Sequence, residues 1–153
     1  FKLRLGVLPQ RHTYHLFTGA SCGLGDDVEF LDDFDDEARR SFLNTLSVLC
    51  VPEKKPVACG RYVAEALAAG VPAVEPAGGV FDELSELTDG GCMLYEPNDA
   101  KTLAGALESL LPDTERLNRL GQAGKAAVFD ALDVQKTAEQ MVCIFDDIGV
   151  GSS

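Results

Sequence analysis

The sequence has little positive charge, with 13 lysines and arginines against 25 aspartates and glutamates and a formal net charge of −12 at pH 7. Nucleic acids and anionic membrane surfaces attract Lys and Arg, so this balance argues against both as partners. No apolar run reaches the roughly 20 residues that span a bilayer, which predicts no transmembrane segment. The opening residues 1–5 lack a methionine and a charged-then-apolar leader, which argues against a signal peptide.

Cysteine and histidine are too scattered to indicate a zinc site. The five cysteines are odd in number, and none forms a Cys-x-x-Cys pair or a cluster with histidine at zinc spacing. We therefore expect reduced, mostly buried thiols in a cytoplasmic protein, and we predict neither a metal nor a cofactor. The acidic stretch 26–37 matches no EF-hand loop and favours a solvated edge.

The chain length suits a single domain, which we place at residues 1–150, with 151–153 as a tail or linker. Apolar runs alternate with stretches of helical periodicity, a pattern typical of a parallel sheet covered on both faces. We expect the run 48–51, which Pro52 ends, to be a central strand. Predicted strands are 2–7, 28–31, 48–51, 73–74 and 92–95; predicted helices are 11–22, 35–46, 60–69, 81–87, 99–111, 113–129 and 134–148.

In such a sheet, ligands bind where strands end and helices begin, so the segment after residue 51 is the most informative. The amides around Cys59, Gly60 and Arg61 open a helix, and Arg61 adds a cation, as a diphosphate site requires. Glu65 lies on the same helix among apolar neighbours, where a carboxylate needs hydrogen-bond partners. A ribose or sugar diol would supply them. An ordinary strand-to-helix turn, with Glu65 paired to Arg61 at i, i+4, is the alternative.

Residues 57–72, 78–84 and 89–99 together resemble a known family. They carry, in order, Glu-Ala-Leu-Ala-Ala-Gly-Val-Pro, then Gly-Gly, then Asp-Gly and Pro-Asn-Asp. This order resembles the C-terminal, donor-binding domain of the group 1, family 4, retaining glycosyltransferases. Those enzymes have the GT-B architecture, in which two Rossmann-like domains enclose the active site. The resemblance implies an α/β fold with a Rossmann-like, doubly wound parallel sheet and helices on both faces.

The resemblance also implies a donor site. Glu65 takes the place of the second Glu of the family signature, Glu, seven residues, Glu, and would hydrogen-bond the nucleotide ribose. Amides at Cys59, Gly60 and Arg61 would hold the phosphates and the sugar of the donor. The other positions implied are Leu31, near the nucleotide base, and Gly78 and Gly79, at the cleft.

Two departures from the family pattern stand out. Val57 occupies the place of the first Glu, which contacts the donor sugar, and Glu53 lies four residues too early. The strand at 2–7 corresponds to the second strand of the domain. The first strand and helix, with the Arg and Lys that neutralise the diphosphate, would then precede Phe1, as would an N-terminal domain for the acceptor.

The function implied is transfer of a sugar from a nucleotide-diphosphate donor to a sugar, lipid or other acceptor, without a metal or a cofactor. Helix-terminal amides and cations would stabilise the leaving diphosphate. The 153-residue chain alone is expected to be inactive. Two alternatives remain open: a non-catalytic GT-B-like binding domain, which Val57 favours, and a nucleotide-sugar epimerase or phosphorylase of the same architecture.

Overall fold

A computed structural model describes residues 35–149 and, as backbone only, residues 3–6 and 28–31. The chain divides into two compact units, residues 1–46 and 47–153. The helix predicted at 11–22 lies outside the described residues.

The first unit contains two parallel strands and a helix. Strand β1 (Leu3–Gly6) pairs with β2 (Val28–Leu31) in the register Leu3 to Val28. Helix α1 (Asp36–Leu43) begins after Asp35, whose carboxylate accepts hydrogen bonds from two first-turn amides, as an N-cap does. Both strands and the helix confirm the sequence prediction in position and type.

The second unit is a three-stranded parallel sheet with five described helices. The strand order is β3, β4, β5, and both pairings are parallel, as the alternating pattern predicted. The elements are β3 (Leu49–Cys50), α2 (Arg61–Ala68), β4 (Ala73–Pro76), α3 (Val80–Leu87), β5 (Cys92–Tyr95), α4 (Ala100–Leu110), α5 (Thr114–Ala131) and α6 (Val134–Asp147).

The expectation that residues 48–51 form the central strand is wrong for the part of the chain that the structure describes. There β3 pairs on one side only, and β4 is the middle strand, with all four of its residues buried. The β3 ladder is also short. Leu49 N–H donates to Pro72 O, so regular pairing would next bring Val51 N–H to the backbone of β4. Val51 donates instead to a β4 side chain, and Pro52 has no N–H to continue.

Helices cover both faces of this sheet, as predicted. On one face Ala73 and Cys92 pack against α2, α3 and α5, and on the other Val74 and Tyr95 pack against α4 and the start of α5. Successive residues of a strand point to opposite faces, which is why neighbours such as Ala73 and Val74 belong to different clusters. The side chains from the helices are Val63, Leu67, Phe81, Leu84 and Val128 on the first face, and Leu110 and Leu117 on the second.

Two glycines bring α5 unusually close to its neighbours. A Cβ atom on Gly121 would lie 2.1 Å from Gly70 O, and one on Gly124 would lie 2.5 Å from Leu67 Cδ2. Only a residue without a side chain permits such an approach. Helix α6, in contrast, follows the predicted apolar spacing but has no buried residue. Its apolar side chains and those at the end of α5 are exposed, at Phe129, Leu132, Val134, Met141, Val142, Ile144, Phe145 and Ile148.

Candidate functional site

The carboxyl edge of the three-stranded sheet is where α2, α3 and α4 begin, each directly after a strand. An aspartate side chain caps four of the six described helices, at Asp35, Asp99, Asp113 and Asp133. Helices α2 and α3 begin instead at glycines, Gly60 and Gly79, and neither has a side-chain cap. Because the first amides of a helix lack intrahelical partners, the uncapped N-terminus of α2 suits an anion. The first turn of α3 carries Asp82 and Glu83 and does not.

The structure brings three predicted site residues together. The Val57 carbonyl accepts a hydrogen bond from Val80 N–H at 3.0 Å, and a Cβ on Gly79 would lie 2.8 Å from that same oxygen. Gly60 is buried, and a Cβ there would meet Val80 Cγ1 at 3.0 Å and Phe81 Cε1 at 3.3 Å. Both glycines have positive φ, 53° at Gly60 and 64° at Gly79. Packing of α3 against the start of α2 therefore explains Gly60 without a ligand.

Arg61 and Glu65 form an ion pair on the outer side of α2. Arg61 Nε donates to Glu65 Oε1 at 2.8 Å, with side-chain exposures of 74% and 26%. The apolar neighbours expected around Glu65 do not bury it completely: Val63, Ala66 and Leu67 are buried, whereas Glu65 keeps 26% of its side-chain exposure. The pairing matches the alternative interpretation, in which Arg61 satisfies the Glu65 carboxylate.

The remaining predicted residues lie around this site or outside its unit. Cys59 is exposed and carries a free thiol one residue before Gly60. Gly78 N–H donates to Asp82 Oδ1 at 2.9 Å, so the carboxylate of α3 already holds that amide. Leu31 is the last residue of β2, in the first unit, where it pairs with Gly6.

A polar network beneath the site was missed at the sequence level. Residues 51–60, here the β3–α2 loop, are fastened near their start by three hydrogen bonds. Val51 N–H donates to Glu75 Oε1 at 3.1 Å, Tyr62 O–H to Glu53 Oε1 at 3.4 Å, and Asn98 Nδ2 to Glu53 O at 2.7 Å. The signal available was Glu75 itself, a carboxylate inside a four-residue apolar strand.

Burial dominates the chemistry of this network. Glu75 has no exposed surface, and burial raises its pKa to about 8, opposed by the hydrogen bond from Val51 and assisted by nearby Glu53. Burial, with a smaller contribution from Glu75, also raises the pKa of the Cys50 and Cys92 thiols to about 12. These two cysteines are therefore unreactive thiols at neutral pH.

The described residues contain neither a metal-binding cluster nor a membrane-spanning helix. No group of three or more His, Cys, Asp or Glu side chains there is placed to hold a metal ion. None of the helices found there is long and apolar enough to cross a membrane.

The fold and the site together define a class. A parallel sheet covered on both faces, with glycine-started helices at its carboxyl edge, is a Rossmann-like arrangement, and the solved structures it superposes on are GT-B glycosyltransferases. The family description "Glycosyl transferases group 1" matches residues 17–127, which is more than half of the 153 residues. The chain belongs to the group 1 glycosyltransferases.

Individual relatives agree with this family. A phosphatidyl-myo-inositol mannosyltransferase from Mycobacterium leprae is 29% identical over 132 residues, 86% of this chain and 34% of its own length. Sucrose-phosphate synthase from Thermosynechococcus elongatus superposes with a TM-score of 0.79 at 27% identity, over 98% of this chain and 38% of its own. Anabaena HepE in complex with UDP gives 0.81 at 21% identity, over 95% of this chain and 41% of its own, which shows the fold. This chain thus spans about a third to two fifths of these relatives.

Proposed function

We propose that this chain is the donor-binding half of a retaining glycosyltransferase that transfers a sugar from a nucleoside-diphosphate sugar. The observation that carries the proposal is the start of α2. There, uncapped helix amides adjoin the Arg61–Glu65 pair at the carboxyl edge of the sheet. Membership of the group 1 glycosyltransferases supports it.

The chemistry of donor binding follows from these groups. Amides at Gly60 and Arg61 point from the positive end of the α2 dipole and suit the diphosphate, and the Arg61 guanidinium adds a full charge. Both stabilise the charge that develops on the leaving nucleoside diphosphate as the glycosidic bond breaks. Glu65, held one turn along the helix by Arg61, offers its carboxylate to the ribose hydroxyls.

The relatives are longer than this chain, and we therefore assign the remaining parts of the activity to residues outside it. The acceptor, a sugar, lipid or other hydroxyl compound, would bind to a second domain, and the 153-residue chain alone would bind nucleotide weakly and turn nothing over. HepE was solved with UDP, which makes uridine nucleotides the first donors to test. We place the whole protein in the cytoplasm, where nucleotide sugars would serve as its donors.

One observation favours a second candidate, a non-catalytic domain of the same fold. Val57 presents an aliphatic side chain where the family signature has its sugar-contacting Glu, and its carbonyl is occupied by Val80 N–H. Such a domain would keep the phosphate and ribose contacts and lack the sugar contact.

Titration of the protein with a panel of nucleotide sugars, by calorimetry and with sugar release as a second readout, tests both candidates. We expect micromolar to millimolar binding of one nucleoside diphosphate series. Binding together with sugar transfer in the longest natural form of the protein supports the transferase. Binding without turnover in that form supports the non-catalytic domain, and no binding of any nucleotide excludes both.

A further inference from the structure

Glu75 is the one buried side chain within residues 35–149 that has a polar atom without a hydrogen-bond partner. Its Oε1 accepts from Val51 N–H, whereas its Oε2 has no partner. A buried polar group left unsatisfied costs free energy, so a fold keeps such a group only where something offsets the cost. Glu75 lies in the middle strand, shortly before the β4–α3 turn that contains Gly78 and Gly79. This place suggests that a role at the candidate site offsets the cost.

Glu75 replaces the backbone of β4 as the partner of the β3–α2 loop. At Val51 the ladder would continue onto β4, but the carboxylate takes the N–H, and the chain leaves the sheet there. Further along, Glu53 is held from α2 by Tyr62 and from the β5–α4 segment by Asn98. The loop then reaches Val57, whose carbonyl accepts from Val80 N–H. The bond to Glu75 is thus the first of four that join this loop to other elements.

The titratable groups coupled to Glu75 are neutral or acidic. Glu53 in the loop raises the pKa of Glu75, and Glu75 in turn raises the pKa of side chains on β3, α2 and β5. These are Cys50, Tyr62, Cys92 and Tyr95, and Asp82 of α3 also acts on Cys92. No described cation is among the groups that act on the carboxyl. A protonated carboxyl suits this setting, because an ionised one would face Glu53 and keep an unsatisfied, charged oxygen.

We propose that Glu75 is a positioning residue of the donor site: as a neutral acid it fastens the start of the β3–α2 loop and so sets the conformation in which Val57 meets Gly79 at the mouth of the site. The identity of the ligand rests on the proposed function. The fastening of the loop by the hydrogen bond between Glu75 and Val51 does not. Ionisation of Glu75 strengthens its hydrogen bond from Val51, but it also puts a charge without a cation inside the sheet. Because hydration of that charge requires the loop to move away from the sheet, ionisation releases the loop. With a pKa of about 8, that release falls between pH 7 and pH 9.

The test measures loop order and ligand binding separately. Hydrogen–deuterium exchange of a peptide covering residues 51–57 is followed from pH 6.5 to 9 in the wild type, Glu75→Gln and Tyr62→Phe. The Gln variant keeps the acceptor for Val51 and cannot ionise. The Phe variant is the matched control, since it removes a different bond of the same loop and leaves Glu75 in place. UDP affinity is measured by calorimetry over the same series.

In the wild type and in Tyr62→Phe we expect exchange to rise above pH 8 by more than the intrinsic, base-catalysed increase, and Glu75→Gln to follow the intrinsic increase alone. If only the neutral form is competent to bind, UDP affinity in the wild type falls about tenfold between pH 7 and pH 9. In Glu75→Gln the affinity for UDP does not depend on the ionisation of residue 75. Comparison of the two proteins therefore removes the effect of the titration of UDP itself. Should Glu75→Gln not fold, the wild-type and Tyr62→Phe series still carry the test.

Three other outcomes are distinguishable. Exchange in the wild type that follows the intrinsic increase throughout overturns the fastening. A loop that opens above pH 8 while UDP affinity stays constant overturns the positioning role and leaves the proposed function standing. A loop that opens as expected in a protein that binds no nucleotide at any pH supports the fastening and refutes the proposed function.

Discussion

Gly79 lies directly against the backbone of Val57, so closely that a Cβ on the glycine would approach Val57 O to 2.8 Å and Val57 N to 3.1 Å. Val57, which departs from the family signature, and Gly79 of the Gly-Gly motif are therefore in direct contact. A change at residue 57 acts where the loops after β3 and β4 meet.

The first prediction restores the missing carboxylate. Val57→Glu should raise the affinity for a nucleotide sugar over that for the free nucleoside diphosphate by about tenfold or more. A hydrogen bond to a charged group is worth about 1.5–3 kcal/mol, and the sugar hydroxyls supply the donors. Calorimetric titration with UDP and with UDP-sugars measures the ratio.

Val57→Gln is the matched control, because it has the same size as the Glu variant and no charge. We expect it to leave the ratio of the two affinities within a factor of about three. A rise of equal size in both variants would mean that bulk at residue 57, and not a carboxylate, produces the effect.

The second prediction concerns Glu65. Glu65→Gln should weaken binding of a nucleoside diphosphate by about five- to thirtyfold, since one charged hydrogen bond becomes neutral. The melting temperature should change little, because a partly exposed i, i+4 ion pair such as Arg61–Glu65 contributes about 0–1 kcal/mol. Calorimetry beside a thermal melt separates the two effects.

Glu108→Gln on the exposed side of α4 is the control for loss of one negative charge. It should leave affinity unchanged. If Glu65→Gln lowered the melting temperature and kept full affinity, Glu65 would be a structural residue paired to Arg61 and no more.

The third prediction is a pH dependence of stability. Burial raises the pKa of Glu75 from 4.5 to about 8, so the folded state holds a proton that the unfolded chain releases. The stability of the wild type relative to Glu75→Gln is therefore greatest below pH 4.5 and falls as the pH rises toward 8. The expected slope is about 1.4 kcal/mol per pH unit. Urea unfolding at several pH values from 5 to 8 gives the difference, and parallel curves for the two proteins would contradict it.

The fourth prediction compares two glycines inside helices. Gly121→Ala should destabilise the protein by about 2 kcal/mol or more, because the new methyl group would lie 2.1 Å from Gly70 O and the backbone must move. Gly105→Ala on α4 meets nothing within 4 Å and should stabilise it by up to about 1 kcal/mol. Urea unfolding of both variants provides the measurement. Losses of similar size in both would show that helix glycines matter here for a reason other than close packing.

Sequence patterns predicted the helices and strands well where apolar residues recur with the period of that element. Strand β5 was predicted at the residues where it occurs, and α5 and α6 within two residues at either end. Periodicity reports which side of an element is apolar, but not which strand lies beside which. For that reason the sequence did not predict that, among the residues the structure describes, β4 and not the strand at 48–51 is the middle strand.

The family resemblance implied that Gly60, Gly79 and Val57 are neighbours of one ligand, which stays a prediction. The structure places Gly79 against Val57 and Gly60 against Val80. The sequence did not predict why Gly60 is a glycine, since the side chains that fill the space of its Cβ come from α3, twenty residues later. The sequence analysis also missed the role of Glu75. A single glutamate in an apolar strand does not show that its hydrogen-bond partner is Val51, 24 positions earlier.

The exposed apolar side chains of α6 give the chain two opposing tendencies in solution. A net charge of −12 keeps molecules apart by mutual repulsion. A row of exposed Val, Met, Ile and Phe side chains on one helix favours contact between them. Salt shortens the range of the repulsion to about 10 Å at 0.1 M and leaves apolar attraction in place. We therefore expect the protein to stay monodisperse in buffer of low ionic strength and to self-associate when salt is added.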